Sequence, residues 1–418
     1  MEDLSKANNA FALDMHKQFA KADETKNIFF SPCSIITALG MVFQGARGNT
    51  ATQMAEVLHF TNAQEDESAT EAIVPFDPCV MEQQAQKPDY RIPVPKPGNV
   101  NTTRILQGFQ ELYSEINKPN SNYLLRTANN LYANQYYTFR NEYLELMETY
   151  FHAKPQTVNF ATAAEDARKE INRWVENQTD NKIKDLLPEG SVNSLTTLVL
   201  ANAVYFKGKW ENKFQKSLTK ERIFRLSKTT SKPVQMMYKK DKYNIYHDDS
   251  LETMILEMPY DNNGLSLFIM LPNEIHDNST GLEKLESELT LEKLLECTSP
   301  NVMEKVTVEV YLPKFKLEEA NDLRETLSLM GMSDVFSQDK ANLSGMSTGN
   351  DLYLSKVFHK AFVEINEEGT EAAAATGATV MRRSREITVK FQADHPFLFF
   401  IIKKKTNTIL FNGRCCRP

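Results

Sequence analysis

Long apolar runs are missing from this chain. The longest late one, Phe397 to Ile402, is six residues, whereas a bilayer-spanning helix needs about twenty. The start, Met1-Glu2-Asp3, passes directly into amphipathic spacing without the basic stretch and apolar core of an export signal. Neither a membrane anchor nor a cleavable leader is expected, and the cytoplasm is the expected compartment. Cysteine is sparse: Cys33, Cys79, Cys297, Cys415 and Cys416 show no zinc-site spacing and no disulfide framework. Free thiols in a reducing environment follow, and no metal or other cofactor is called for. Signatures of catalysis are absent too, with no Gly-x-Ser-x-Gly elbow, metalloprotease helix, phosphate-binding loop or dinucleotide fingerprint. The expectation is a protein that is not an enzyme. A net charge of -7 argues against general nucleic-acid binding, and Lys87, Arg91 and Lys96 are too dispersed for a basic nuclear signal.

The 418 residues are 41% hydrophobic and 25% charged, values of a soluble globular protein. That length exceeds the usual size of one core, but no flexible linker divides it, so one domain over 1–418 is expected. Leu4, Phe11, Met15 and Phe19 sit at helical spacing, and a short strand at Asn27–Phe30 leads through Ser31-Pro32 into a helix reaching Met41. Helical spacing recurs at Thr50–Leu58, Thr102–Ile116, Tyr143–Phe151 and Ala163–Gln178, then at Gly281–Glu288, Leu291–Glu296 and Asn321–Met330. Strands are expected at Tyr123–Tyr132 and Leu195–Phe206 in a large central sheet, with others at Val234–Met237, Thr253–Pro259, Leu265–Leu271 and Val306–Leu312. Helices and strands in irregular order predict an α+β fold on a mixed sheet. Between Thr61 and Val100 the chain turns acidic and proline-rich with little periodicity, which reads as a flexible loop insertion.

The segment from Glu367 to Phe391 has an unusual change of composition. Its first half has no bulky residue until Val380. On strand geometry one alternate set is Thr370, Ala372, Ala374, Thr376, Ala378 and Val380, all uncharged. Such a segment can be exposed or can enter a sheet without burying a charge, and Gly369 supplies a pivot. Its second half, Met381-Arg382-Arg383-Ser384-Arg385, offers arginine to the acidic primary pocket of a trypsin-like protease. Two plainer readings stand beside this one: an alanine-rich helix and a solvated basic patch.

Those residues carry a resemblance to the serpins, specifically the intracellular, ovalbumin-like branch. Glu367-Glu368-Gly369-Thr370-Glu371-Ala372-Ala373-Ala374-Ala375-Thr376 resembles that family's hinge, and the seventeenth residue from Glu367, the family's usual spacing, is Arg383. Phe30-Ser31-Pro32-Cys33-Ser34-Ile35, Asn202 to Trp210, Phe358-His359-Lys360-Ala361-Phe362 and Asp394 to Phe399 resemble further serpin signatures in the expected order. The resemblance implies a serpin fold of about nine helices with an exposed reactive-centre loop. It also implies a monomeric suicide-substrate inhibitor, cleaved at Arg383-Ser384, whose partners are trypsin-like serine proteases such as plasminogen activators, plasmin, thrombin or trypsin. It places Ser31, Ser34, Asn202 and His359 under a sheet that must part, with Trp210 near the upper end of the opening. It implies cytosolic residence with some release by unconventional export. A non-inhibitory binding or storage protein of the same shape is the alternative.

Overall fold

A computed structural model describes residues 2–60, 102–116, 123–261, 263–349, 351–368 and 388–418. The loop expected over 61–100 lies outside the described residues. In chain order the elements are α1 (Glu2–Ala22), β1 (Ile28–Phe30), α2 (Pro32–Gly45), α3 (Gly48–Val57), α4 (Thr102–Ile116), β2 (Tyr123–Asn134), α5 (Asn141–Leu146), β3 (Gln156–Val158), α6 (Phe160–Gln178), β4 (Leu198–Gly208), β5 (Lys220–Arg225) and β6 (Ser231–Asp248). There follow β7 (Thr253–Pro259), β8 (Leu265–Pro272), α7 (Glu283–Glu288), α8 (Leu291–Cys297), β9 (Glu304–Pro313), β10 (Phe315–Asp322), α9 (Arg324–Leu329), β11 (Leu354–Ile365), β12 (Thr388–Gln392), β13 (Phe397–Lys403) and β14 (Thr408–Cys415).

The strands form two sheets, so the fold is α+β as expected. One has five strands in the order β10-β11-β4-β2-β3; the other has nine, β1-β14-β13-β8-β7-β6-β9-β12 with β5 alongside β6. In the middle of the five-stranded sheet β11 and β4 run parallel, while β10 and β2 flank them antiparallel. Side chains of β4 alternate between two cores. Leu198, Leu200, Val204 and Phe206 join the main core with α2, whereas Val199, Ala201, Ala203 and Tyr205 pack with Ile171 and Val175 of α6. A sheet covered on both faces explains why β4 reads as an almost continuous apolar run. Helix α2 is buried nearly all round, through Ile35, Ile36, Leu39, Met41 and Val42, as a helix between layers must be. The nine-stranded sheet closes the same core through Phe29, Phe399 and Phe411. Phe399 lies on the bare backbone of its cross-strand partner Gly413, where a Cβ would collide with the ring.

Strands β3, β5 and β10 to β14 are not among the expected ones, and three of the expected elements differ in ways the packing explains. The strand expected at Val234–Met237 runs over Ser231–Asp248. The charged run Lys239-Lys240-Asp241-Lys242 obscures its pattern, and pairing with β5, β7 and β9 overrides it. The helix expected from Asn321 begins only at Arg324, because Asn321 and Asp322 pair with His359 and Phe358 as the end of β10. Tyr143–Phe151 is helical only to Leu146 in α form and then widens into a π turn over Met147–Phe151.

Candidate functional site

The β4–β11 seam carries a polar group at its centre. Asn202 and His359 are register partners across it, and Asn129 of β2 is the partner of Asn202 on the other side. By alternation Asn202 and His359 point to the α2 side, amid Leu200, Val204, Val357 and Ala361. There they meet the start of α2. Pro32 takes the first helical position, where its missing N–H costs nothing. Ser31 caps the helix, its Oγ accepting from the Ser34 N–H at 3.2 Å, and the same hydroxyl donates to the Leu410 carbonyl of β14 at 2.7 Å.

The hydrogen bonds assign the histidine tautomer. The Ser31 backbone N–H donates to His359 Nε2 at 3.2 Å, so Nε2 is the acceptor, and Nδ1–H donates to Asn202 Oδ1. The Asn202 amide nitrogen donates to Ser34 Oγ at 2.6 Å and to Asn129 Oδ1. Ser34 Oγ lies 3.4 Å from Asn129 Oδ1. His359 has no exposure, and burial pushes its pKa down to about 3, so the ring is neutral. Cys33, beside the cluster, is a buried thiol pushed up to about 12 by desolvation and stays protonated. The structure thus brings Ser31, Ser34, Asn202 and His359 together.

Trp210 lies apart from them, just past the end of β4, where β11 also ends. Its ring stacks on Tyr260 with centroids 4.6 Å apart, and its indole N–H donates to the Asn366 carbonyl at 2.9 Å. Glu367 and Glu368, where the expected hinge begins, are held at the same place. Phe214 N–H donates to the Glu367 carbonyl at 2.8 Å and Trp210 N–H to that of Glu368 at 3.4 Å. The buried Glu367 carboxylate accepts from Thr219 Oγ1 at 2.8 Å and pairs with Lys314 Nζ at 2.9 Å. Desolvation alone would raise the Glu367 pKa, but the hydrogen bonds from Lys314 and Thr219 outweigh it and hold the carboxyl below its ordinary range. Lys216 pairs with Glu368 at 2.6 Å.

Gly369, Thr370, Glu371, Ala372, Ala373, Ala374, Ala375, Thr376, Arg383 and Ser384 lie outside the described residues. Asn129, Lys314 and Thr219 are contacts that the sequence reading did not name. For Asn129 a signal exists, an amide, a residue type depleted in strands, within the expected strand Tyr123–Tyr132. Lys314 and Thr219 carry none, since each meets Glu367 only through the tertiary fold.

The family model described as Serpin (serine protease inhibitor) matches residues 6–418. The chain is a serpin. It belongs to the ovalbumin-like, clade B branch: it is 50% identical over 418 residues to human Serpin B10 and 48% identical over 423 residues to human plasminogen activator inhibitor 2, each alignment covering 100% of both chains. Among solved structures it is similar to uncleaved ovalbumin, with a TM-score of 0.82 at 35% identity and 100% of both chains covered. It is also similar to maspin, with a TM-score of 0.84 at 33% identity, covering 100% of this chain and 99% of that one. The serpin architecture expected from the motifs is therefore the observed one. Among the described residues no helix is long and apolar enough to cross a membrane, and no three His, Cys, Asp or Glu side chains form a metal site.

Proposed function

We propose that this serpin is a suicide-substrate inhibitor of trypsin-like proteases, acting as one domain over 1–418 in the cytoplasm, with Arg383-Ser384 as its reactive bond. The observation that carries the reading is the parallel β4–β11 seam, with the segment 369–387 leaving from one end of it. A strand that turns back from the end of β11 would lie antiparallel to both neighbours. It would replace one parallel pairing by two antiparallel ones, which are slightly more stable per residue.

In the reaction the target's serine oxygen attacks the Arg383 carbonyl carbon. The Arg383–Ser384 bond breaks, its electron pair leaves with the Ser384 nitrogen, and that nitrogen takes a proton as the new amino terminus. An ester joins Arg383 to the protease. Gly369–Arg383, fifteen residues, is then free at one end and spans about 50 Å as a strand. The twelve residues of β11 span about 40 Å, so insertion would carry the ester along the whole seam. Distorting the protease's catalytic geometry by about 1 Å suffices to slow deacylation about a hundredfold. Strand addition by a serpin reactive loop is a known recognition mode.

In this reading the cluster of Ser31, Ser34, Asn202 and His359 is the gate. Hydrogen bonds can be exchanged as β4 and β11 part, whereas interlocked aliphatic side chains would have to be unpacked. Trp210 and Glu367 are the clamp at the end where insertion begins. Incubation with plasmin, thrombin, plasminogen activators and trypsin tests the proposal. An SDS-resistant complex with new sequence starting at Ser384 is expected. Loop cleavage without any complex throughout the panel would support the non-inhibitory binding or storage role instead.

A further inference from the structure

The outer face of the strands β5, β6, β9 and β12 is cationic in a chain whose net charge is -7. Arg222 of β5, Lys240 and Lys242 of β6, Lys305 of β9 and Lys390 of β12 are all exposed. Glu309 is interleaved with them and is held by Lys240 at 3.1 Å. Alternation puts Val308, Val310, Leu312 and Phe391 on the buried side of the same strands, so the charged set is the solvent side. Two of the cations are held in place. The Arg222 guanidinium lies 4.5 Å and the Lys390 ammonium 5.2 Å from the centroid of the Tyr311 ring, with Tyr238 packed against that ring at 4.9 Å. Cation–π contacts of this kind orient the side chain while leaving its charge to act outward.

We infer that this face is a docking surface for an acidic patch on the protease that takes the Arg383–Ser384 bond. The inference deepens the reading of Arg383 as the reactive residue and rests on it. Distance supports it. Three residues lie between Ser384 and Thr388, where β12 begins, so their Cα atoms are at most about 14 Å apart. A standard protein interface covers about 800 Å² per partner, a disc of roughly 16 Å radius. A protease closed on the bond therefore has the Thr388 end of this face inside its footprint. The sign of the charge then selects the partner: an acidic surface is drawn in, and a basic one is repelled. A polyanion would meet the same charges, but nearness to the reactive bond favours the protease.

The test compares the wild type with the triple variant Arg222→Ser/Lys240→Ser/Lys390→Ser and with Lys240→Arg/Lys390→Arg. Association is measured by stopped flow with plasmin, thrombin, a plasminogen activator and trypsin, each inactivated by serine-to-alanine substitution. Active forms of the same enzymes are used in parallel to score covalent trapping. With at least one protease the triple variant is expected to associate on the order of tenfold more slowly at low salt. The difference should vanish at high salt, and the arginine variant should match the wild type. The stoichiometry of trapping should not change. Equal association rates across the panel at both salts would overturn the inference. So would loss of retention on a heparin column with protease association untouched, which would assign the face to a polyanion. If no active protease is trapped by the wild type while the salt-dependent difference persists, the reactive-bond reading fails and the docking face stands.

Discussion

The Asn202 amide oxygen accepts a hydrogen bond from His359 Nδ1 across the parallel seam of β4 and β11. One bond thus links the two strands that would have to part and also sets the tautomer that lets His359 Nε2 receive the Ser31 N–H.

That arrangement makes the seam sensitive to acid. The folded pKa of His359 is depressed to about 3 from an ordinary 6.5. As pH falls through 6.5 the unfolded chain takes up a proton that the folded chain refuses, so this contribution to stability is complete above 6.5 and is lost progressively towards 3. Between pH 6.5 and about 5 the loss is about 2 kcal/mol. Denaturation measured across that range should show a shallower pH slope in His359→Gln, which keeps a donor and an acceptor but cannot titrate. Parallel slopes would remove His359 from the account.

At the end of the seam near Trp210, Glu367→Gln deletes the charge that pairs with Lys314 and leaves a partner for Thr219. Lys314 is 39% exposed and can turn to water, so the cost should stay near 1–2 kcal/mol. Hydrogen exchange at the amides of Trp210 and Phe214, which bond the Glu368 and Glu367 carbonyls, should quicken. Unchanged protection would show that the backbone bonds alone hold the hinge.

Arg383→Ala should abolish trapping of arginine-directed proteases with no change in melting temperature. The substitution leaves every contact described above intact, and changes away from such contacts shift stability little. Trapping at the wild-type rate would move the reactive bond to Arg382 or Arg385.

Thr370→Arg separates binding from trapping. The protease should still cleave the loop, but an unpaired cation resists burial in the sheet by several kcal/mol. Turnover should replace the stable complex. Stoichiometric inhibition by this variant would mean that residue 370 is never buried.

The residues proposed as gate and clamp are legible in the sequence to different degrees. Ser31, Ser34, Asn202 and His359 are each unremarkable in sequence, and only their flanking motifs and the family resemblance pointed to them. Strands β7 and β8 were recognisable from apolar runs with β-branched residues. Neither β10 nor β11 was recognised: β10 alternates apolar residues with charges in Lys316, Glu318 and Glu319, and β11 carries Lys356, His359 and Lys360, while their pairing with each other and with β4 outweighs local preference.

Local chemistry determined which stretches can be helix or strand, the cap at Ser31-Pro32, and the insertable composition of 367–380, because each depends on neighbours within a few residues. The tertiary structure alone decided that β4 and β11 lie side by side in parallel. It also decided that Glu367 finds Lys314 and Thr219, and that Tyr311 gathers Arg222 and Lys390. Those contacts join residues far apart in the chain, and only packing two sheets around one helix sets which of them meet.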